Sequence, residues 1–245
     1  MEEFWDFKSK NYPTPFDEYG LVTPTKVISK VKDFGVDFRS KRVLDIGCGT
    51  GLYSSIIAKE AEHIVGVDLS SGMLGRFKEY IHINDLKNIE LLQSDFKAFD
   101  TQEQYDIVLS AMTPAISSFE DLNTMMSLSK KTCIYVSFST ERHSPLMDEI
   151  LCLLGFENRT KDKFSDTKAY LCSLGYDIKE EFFEHNWTQE GTLEEMTEDV
   201  LKHLKMRKIE VSKLKVKELL QPYVVNGKIV RETFSNIGVL VWDRA

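Results

Sequence analysis

Two rhythms of apolar and polar positions alternate along most of this chain. Short apolar runs, each closed by a polar or turn-forming residue, fall at residues 42–46, 63–68, 89–93, 105–110 and 133–138. A run of this length bounded by turn signals has the form of a strand buried on both faces. Between the runs, apolar residues return every three or four positions, the spacing of a helix with one buried stripe. Val27, Ile28, Val31 and Phe34 mark such a helix over 25–34, ahead of the first strand. Further helices are predicted over 51–60, 70–85 and 117–130, the last with Leu122, Met125, Met126 and Leu128 on its apolar face. Strand–helix alternation with short connections predicts an α/β fold, a doubly wound and mostly parallel sheet covered on both faces. Ligands of such sheets bind beyond the carboxyl ends of the strands.

Beyond the fifth strand the rhythm changes. Helices are predicted over 145–154 and 163–174, the first opened by Ser144 at the N-cap and Pro145 at the first helical position. Residues 178–187 read as a sixth strand and 235–242 as a seventh. Between them, 188–232 reads as a helical insertion, with helical spacing over 193–204 and 211–223. An insertion at a sheet edge is expected to be a lid over the site, a peripheral helical hairpin that stabilises the edge, or a dimer contact. Residues 1–24 carry Phe4, Trp5, Phe7, Tyr12, Phe16 and Tyr19, too many aromatics for a disordered tail, and read as a cover segment. The whole, 1–245, is expected to be a single domain.

The chemistry concentrates where the first strand ends, in Asp45-Ile46-Gly47-Cys48-Gly49-Thr50-Gly51. Glycines at alternate positions let the backbone turn sharply and approach a ligand closely. A dinucleotide loop has the spacing G-x-G-x-x-G. Here the third glycine comes one residue early, and Leu52 occupies the position that fingerprint reserves for it. Asp45 also opposes a pyrophosphate, because a carboxylate at the strand tip repels phosphate and suits an ammonium group. An NAD-linked oxidoreductase is therefore disfavoured.

Three acids in order give a family resemblance. Asp45 with Gly47, Gly49 and Gly51 resembles the D-x-G-x-G-x-G motif of class I S-adenosylmethionine-dependent methyltransferases. Asp68-Leu69-Ser70-Ser71-Gly72-Met73-Leu74 resembles the segment that follows that family's ribose-binding acid, and Ser94-Asp95-Phe96 its adenine-binding acid with an apolar neighbour. The resemblance implies a Rossmann-like seven-stranded sheet with an antiparallel last strand, and S-adenosylmethionine as cofactor. It implies that Asp45 and the glycines, with Cys48 in the loop, hold the methionine end, and that Asp68 binds the ribose. Asp95 then accepts from the adenine amino group while Phe96 or Leu69 packs on the ring. Met73, Ser94 and Ser110 complete the implied cofactor lining. Phe4-Trp5-Asp6 and Tyr19 resemble the N-terminal helix and tyrosine that many small-molecule members fold over the cofactor, with Tyr12 or Tyr19 as donor.

A sulfonium methyl is already activated, so positioning of the acceptor supplies much of the catalysis, and a base is needed only for a protonated acceptor. The loops 110–115 and 139–143, after strands four and five, are expected to line the transfer pocket. His143 is the expected base, with His185 a weaker one. Met112-Thr113-Pro114-Ala115 lacks the Asn and aromatic of the N-P-P-Y motif, which speaks against adenine methylation.

The 245 residues carry a formal net charge of −8. That charge points to a small-molecule acceptor and away from nucleic acid, whose phosphates draw basic surfaces. Cys48, Cys133, Cys152 and Cys172 are scattered without a C-x-x-C pair, so neither a metal site nor a disulfide framework is expected. No apolar run approaches the roughly 20 residues of a membrane span, and the acidic start Met1-Glu2-Glu3 differs from a signal peptide. Cytoplasmic residence is the expectation. A cofactor-binding regulatory protein without transfer activity, and a methyltransferase of nucleic acid or protein, stand as alternatives.

Overall fold

The structure is a computed structural model describing residues 1–139, 143–157 and 162–244. Two compact units divide the chain: Met1–Ser139 with Lys163–Phe183 and Ile237–Ala245, and Thr140–Asp162 with Glu184–Asn236. The sequence pattern predicted one domain; the second unit is made by the 188–232 insertion together with Leu146, Ile150 and Leu151, which share its core.

The first unit is built on a seven-stranded sheet. Its strands are β1 (Arg42–Ile46), β2 (His63–Asp68), β3 (Ile89–Gln93), β4 (Tyr105–Ala111), β5 (Ser129–Phe138), β6 (Lys179–Glu184) and β9 (Asn236–Asp243), in the order β3-β2-β1-β4-β5-β9-β6. The β1–β2, β1–β4, β2–β3 and β4–β5 pairs are parallel, and β9 runs antiparallel to β5. This is the mostly parallel architecture with an antiparallel last strand that the three acidic motifs implied.

Period-two alternation divides the apolar residues between two faces. Val43, Ile64, Ile107, Leu109 and Ile134 pack with Val27, Ile28 and Val31 of α2 (Glu18–Asp33) and with Ile57 of α3 (Ser54–Ile57). Leu44, Ile46, Val65, Val108 and Cys133 pack on the other side with Leu122 and Met125 of α5 (Phe119–Ser127) and Phe164 and Leu171 of α7 (Lys163–Ser173). Each fully buried aliphatic side chain here contributes about 1.5–3 kcal/mol. α4 (Ser71–Ile83) buries Leu74 and Phe77 against Cys48. α1 (Glu2–Ser9) belongs to this unit, so the aromatic N-terminus is ordered structure.

The second unit has its own core. Leu146, Ile150 and Leu151 of α6 (Pro145–Leu153) pack with Met196, Val200 and Leu204 of α8 (Leu193–Met206), and with Val216 and Leu220 of α9 (Lys213–Leu220). β7 (Trp187–Gly191) and β8 (Ile229–Thr233) pair antiparallel as a separate sheet. Thr192 opens α8 through a reciprocal capping box with Glu195. A buried ion pair joins the two kinds of element: Arg231 Nη1 on β8 lies 2.9 Å from Asp199 Oδ2 on α8. The predicted strand over 178–187 is in fact two, because His185 and Asn186 break it before β7 begins.

Candidate cofactor site

Strand register brings Asp45, Ser110 and Asp68 within two positions of one another at one edge of the sheet. Ile46, next to Asp45, is opposite Val67 on one side and Ser110 on the other, while Asp68 is opposite Gln93. The carboxyl ends of β1, β2, β3 and β4 therefore form a common rim.

The glycine loop is shaped by what surrounds it. Gly47 and Cys48 both donate their backbone N–H to the Val67 carbonyl, at 2.7 and 3.1 Å, tying the loop to β2. Gly51 has φ +86°, and a Cβ there would stand 2.2 Å from the Phe77 ring. Gly49 has φ +56° but faces open space, with no heavy atom within 4 Å of where a Cβ would be. One glycine is thus required by packing on α4, and another leaves backbone open to a ligand.

Asp45 is buried, with Oδ2 accepting from Ser54 Oγ at 2.5 Å. Burial pushes its carboxyl up to about 7, against the pull of the Ser54 hydrogen bond, and the Asp68 charge adds to the rise. Asp68 accepts from Gly49 N–H at 2.9 Å through Oδ2 and from Ser70 N–H at 2.8 Å through Oδ1. Burial raises it too, opposed by those backbone hydrogen bonds. Two desolvated carboxylates around an open glycine suit a cationic, hydroxyl-bearing ligand, because a neighbouring cation lowers the cost of ionising them. The residues present therefore fit an aminosulfonium nucleoside.

Other predicted residues take varied places. Ser70 caps α4, accepting from Met73 N–H at 3.1 Å, and Met73 is buried beneath it. Leu69 is half-buried beside Asp68. Ser94 N–H donates to the Asp68 carbonyl at 3.0 Å, and exposed Asp95 accepts from Lys97 N–H at 3.0 Å to open a short 3-10 turn. Phe96 points into the core beside Val67 and Tyr105, so its ring is a structural element of the sheet face. Ser110 is buried, and its hydroxyl has no hydrogen-bond partner among the described residues. Burial raises the Cys48 thiol well above its usual range, with the Asp45 and Asp68 charges adding to the effect, so it is an inert wall. Tyr19 is 73% exposed on α2. His143 lies in the second unit, its Nδ1 2.7 Å from Asp148 Oδ2 and its backbone bridged to Phe234. His185 is in the same unit, with burial lowering its imidazole. Of the predicted 139–143 loop, 140–142 lie outside the described residues.

Ser54 and the hydrogen bonds of Asp6 escaped sequence reasoning, whereas Thr113 and Tyr12 fall in segments it had already assigned to the site. Ser54 was hidden inside an ordinary helical pattern. Thr113 fills the space beside Gly47, with its Oγ1 2.1 Å from where a Cβ would stand, and it follows Met112 at φ +55°. A left-handed non-glycine residue at the end of a parallel strand is stored strain of the kind found beside ligands. Asp6 accepts from Ser70 Oγ and Gly72 N–H, and Tyr12 lies beside the Asp68 charge.

Comparison with known proteins bears on this geometry. Residues 43–131, spanning β1 to the start of β5, match a family described as a methyltransferase domain. Magnesium protoporphyrin IX methyltransferase from Synechocystis PCC 6803, solved with bound S-adenosylhomocysteine, aligns with TM-score 0.55 at 15% identity, covering 92% of this chain and 83% of that one. Residues 43–131 are a methyltransferase domain, and the first unit has the fold of class I S-adenosylmethionine-dependent methyltransferases. The YcgJ protein of Bacillus subtilis aligns with TM-score 0.56 at 14% identity, covering 94% of this chain and all of that one.

Curated relatives correct one expectation. An uncharacterized RNA methyltransferase of Clostridium tetani is 28% identical over 140 residues, 56% of this chain and 30% of that protein. A 23S rRNA (uracil(1939)-C(5))-methyltransferase of Marinomonas posidonica is 24% identical over 137 residues, 54% of this chain and 31% of its own length. The chain spans about 30% of the length of these relatives. Net charge had placed nucleic acid outside the partners and a small molecule inside, and the relatives' names overturn that placement. The physical reason is that net charge is a sum over the whole surface, whereas phosphate contacts need only a local basic patch. Among the described residues, no helix is long and apolar enough to cross a membrane.

Proposed function

We propose that the chain transfers the methyl group of S-adenosylmethionine to RNA. The observation that carries the cofactor half is the pair of desolvated carboxylates, Asp45 and Asp68, on either side of open Gly49. Asp45 pairs with the amino end of the cofactor, Asp68 accepts from the ribose hydroxyls, and Asp95 accepts from the adenine amino group. Leu69, on the rim, packs against the adenine ring in place of core-facing Phe96. When bound, the cofactor supplies an electrophilic methyl whose displacement releases a neutral thioether. This chain's own residues orient that methyl and keep water from the sulfonium. The RNA half rests on the names of the curated relatives; the charge of the chain gives it no support.

The test is transfer from methyl-tritiated S-adenosylmethionine to total cellular RNA, followed by acid precipitation with and without ribonuclease. The expected result is precipitable label that ribonuclease removes and that Asp68→Ala does not incorporate. Label that appears only in a nuclease-resistant or acid-soluble product overturns the RNA acceptor while leaving the cofactor assignment standing.

A further inference from the structure

The first 17 residues touch two of the three cofactor motifs and the strand end that adjoins the third, and every contact lies within the first unit. At the glycine loop, Thr50 Oγ1 donates to the Pro13 carbonyl at 2.6 Å. After the ribose acid, Asp6 Oδ1 accepts from Ser70 Oγ at 2.6 Å and from Gly72 N–H at 2.9 Å. At the end of β3, Gln93 Nε2 donates to Glu2 Oε1 at 3.2 Å. α1 is seated directly on the first turn of α4, since a Cβ on Gly72 would stand 2.5 Å from Ser9 Oγ and 3.3 Å from the Asp6 backbone. Between these anchors, Tyr12 meets Trp5 edge to face with ring centres 6.1 Å apart. Desolvation and the neighbouring Asp68 charge push its phenol up.

We propose that residues 1–17 form a strap across the cofactor site, latched by Asp6 onto the start of α4, and that the latch must open for cofactor to be taken up or released. This rests on the cofactor placement given above. The latch is small and polar, while α1 is an eight-residue helix that buries only Ser9 fully. Elements with few buried apolar contacts open locally without global unfolding. Ser70 and Gly72 both donate to the ionised carboxylate, holding Asp6 below its usual range, so the latch stays charged across the physiological range. A charge-assisted pair of donors is about twice as strong as a neutral pair, which makes Asp6 the contact whose loss matters most.

Opening that precedes both uptake and release gives a kinetic signature. Asp6→Asn keeps the size of the side chain and removes its charge. Association and dissociation of tritiated S-adenosylhomocysteine are measured by rapid filtration on the full chain, with amide hydrogen exchange of residues 2–9 followed in parallel. The expectation is that both rate constants rise roughly tenfold in Asp6→Asn while Kd stays within about threefold, as for a gate that is equally in the way in both directions. In the unaltered chain, exchange of 2–9 should slow when S-adenosylhomocysteine is added. Unchanged rates in an Asp6→Asn chain of normal thermal stability overturn the strap, as does a rise in dissociation alone, which would make Asp6 a binding group. Exchange of 2–9 that ignores the ligand overturns it independently. Failure of the unaltered chain to bind S-adenosylhomocysteine overturns the cofactor placement, and the strap with it.

Discussion

Ser54 Oγ donates a 2.5 Å hydrogen bond to Asp45 Oδ2, tying the tip of β1 to the first residue of α3 while both side chains are buried. The bond gives a buried carboxylate one donor where a solvated one has several. Desolvation wins over it, and the carboxyl is left poised near neutrality. A group poised there responds strongly to any cation brought beside it.

The first prediction concerns pH. Between the ordinary carboxylate value of 3.8 and about 7, the folded chain retains a proton on Asp45 that the unfolded chain has released. Stability from this group therefore falls as pH rises through that window. A bound cationic cofactor favours the ionised form, so binding should release a proton and tighten about tenfold between pH 6 and pH 8, where the ionised fraction climbs toward one. Titration calorimetry in two buffers of different ionisation heat measures the released proton directly. Asp68 titrates in the same sense, so Asp45→Asn should flatten the dependence without removing all of it. A pH-independent Kd with no proton release would place the cation elsewhere.

Two glycines of the same loop should fail differently. Gly51→Ala must adopt φ +86° and press its methyl into Phe77, a combination of backbone strain and overpacking costing about 2–4 kcal/mol. Gly49→Ala meets only open space at φ +56°, so its structural cost is about 1–2 kcal/mol. Thermal denaturation should show the larger loss for Gly51→Ala, whereas calorimetric affinity for S-adenosylhomocysteine should fall at least tenfold for Gly49→Ala. Equal melting temperatures, or unimpaired binding by Gly49→Ala, would contradict the assignment of the open side to the ligand.

The pattern of apolar runs made the sheet legible because each strand is buried on both faces and bounded by a turn. The residues 42–46, 63–68 and 89–93 read from it are the bounds of β1, β2 and β3. The short α3 was not legible: residues 51–60 carry helical spacing, but Leu52 and Tyr53 turn before Ser54 begins the helix. Nor was β8, a strand of alternating burial whose partner β7 lies across two helices. The Asp6 contact joins residues 64 and 66 positions apart, and Thr113 meets Gly47 across two strands. Local pattern registers periodicity, and it is silent on which distant side chain will satisfy a given donor.

Asp68 has a second task that changes how its variants should be read. Besides the ribose role proposed for it, its two oxygens close the Gly49 and Ser70 N–H groups. Asp68→Ala leaves both donors unmet in a partly buried loop, a cost of about 1–3 kcal/mol for each that stays dry. The ligand-free protein should therefore melt lower, and cofactor affinity should fall by more than tenfold. Asp68→Asn keeps one acceptor and should recover part of the stability but little of the affinity, because an amide presents only one acceptor to two ribose hydroxyls and the backbone. Calorimetry and melting on both variants separate the two tasks. Affinity that tracks stability across the pair would mean that Asp68 only builds the loop.

The second unit offers a test of whether its core stands by itself. Arg231 and Asp199 are each buried, paired at 2.9 Å, and link β8 to α8. Arg231 Nη2 also donates to Gln189 Oε1 on β7, so one guanidinium holds three elements in register. Arg231→Met keeps the apolar stem but takes the guanidinium from the Asp199 carboxylate, whose Oδ2 also lies 3.3 Å from His203 Nδ1, and breaking a buried pair from one side costs about 3–5 kcal/mol. The double variant Arg231→Met with Asp199→Leu removes both charges and should regain much of that loss. Hydrogen exchange followed by mass spectrometry resolves where the loss falls. Amides of 187–233 should lose protection in the single variant and regain it in the double, while β1, β2 and β4 keep theirs, since their packing is with α2, α3, α5 and α7. Protection lost together across both sets of amides would show instead that the two cores unfold as one cooperative block.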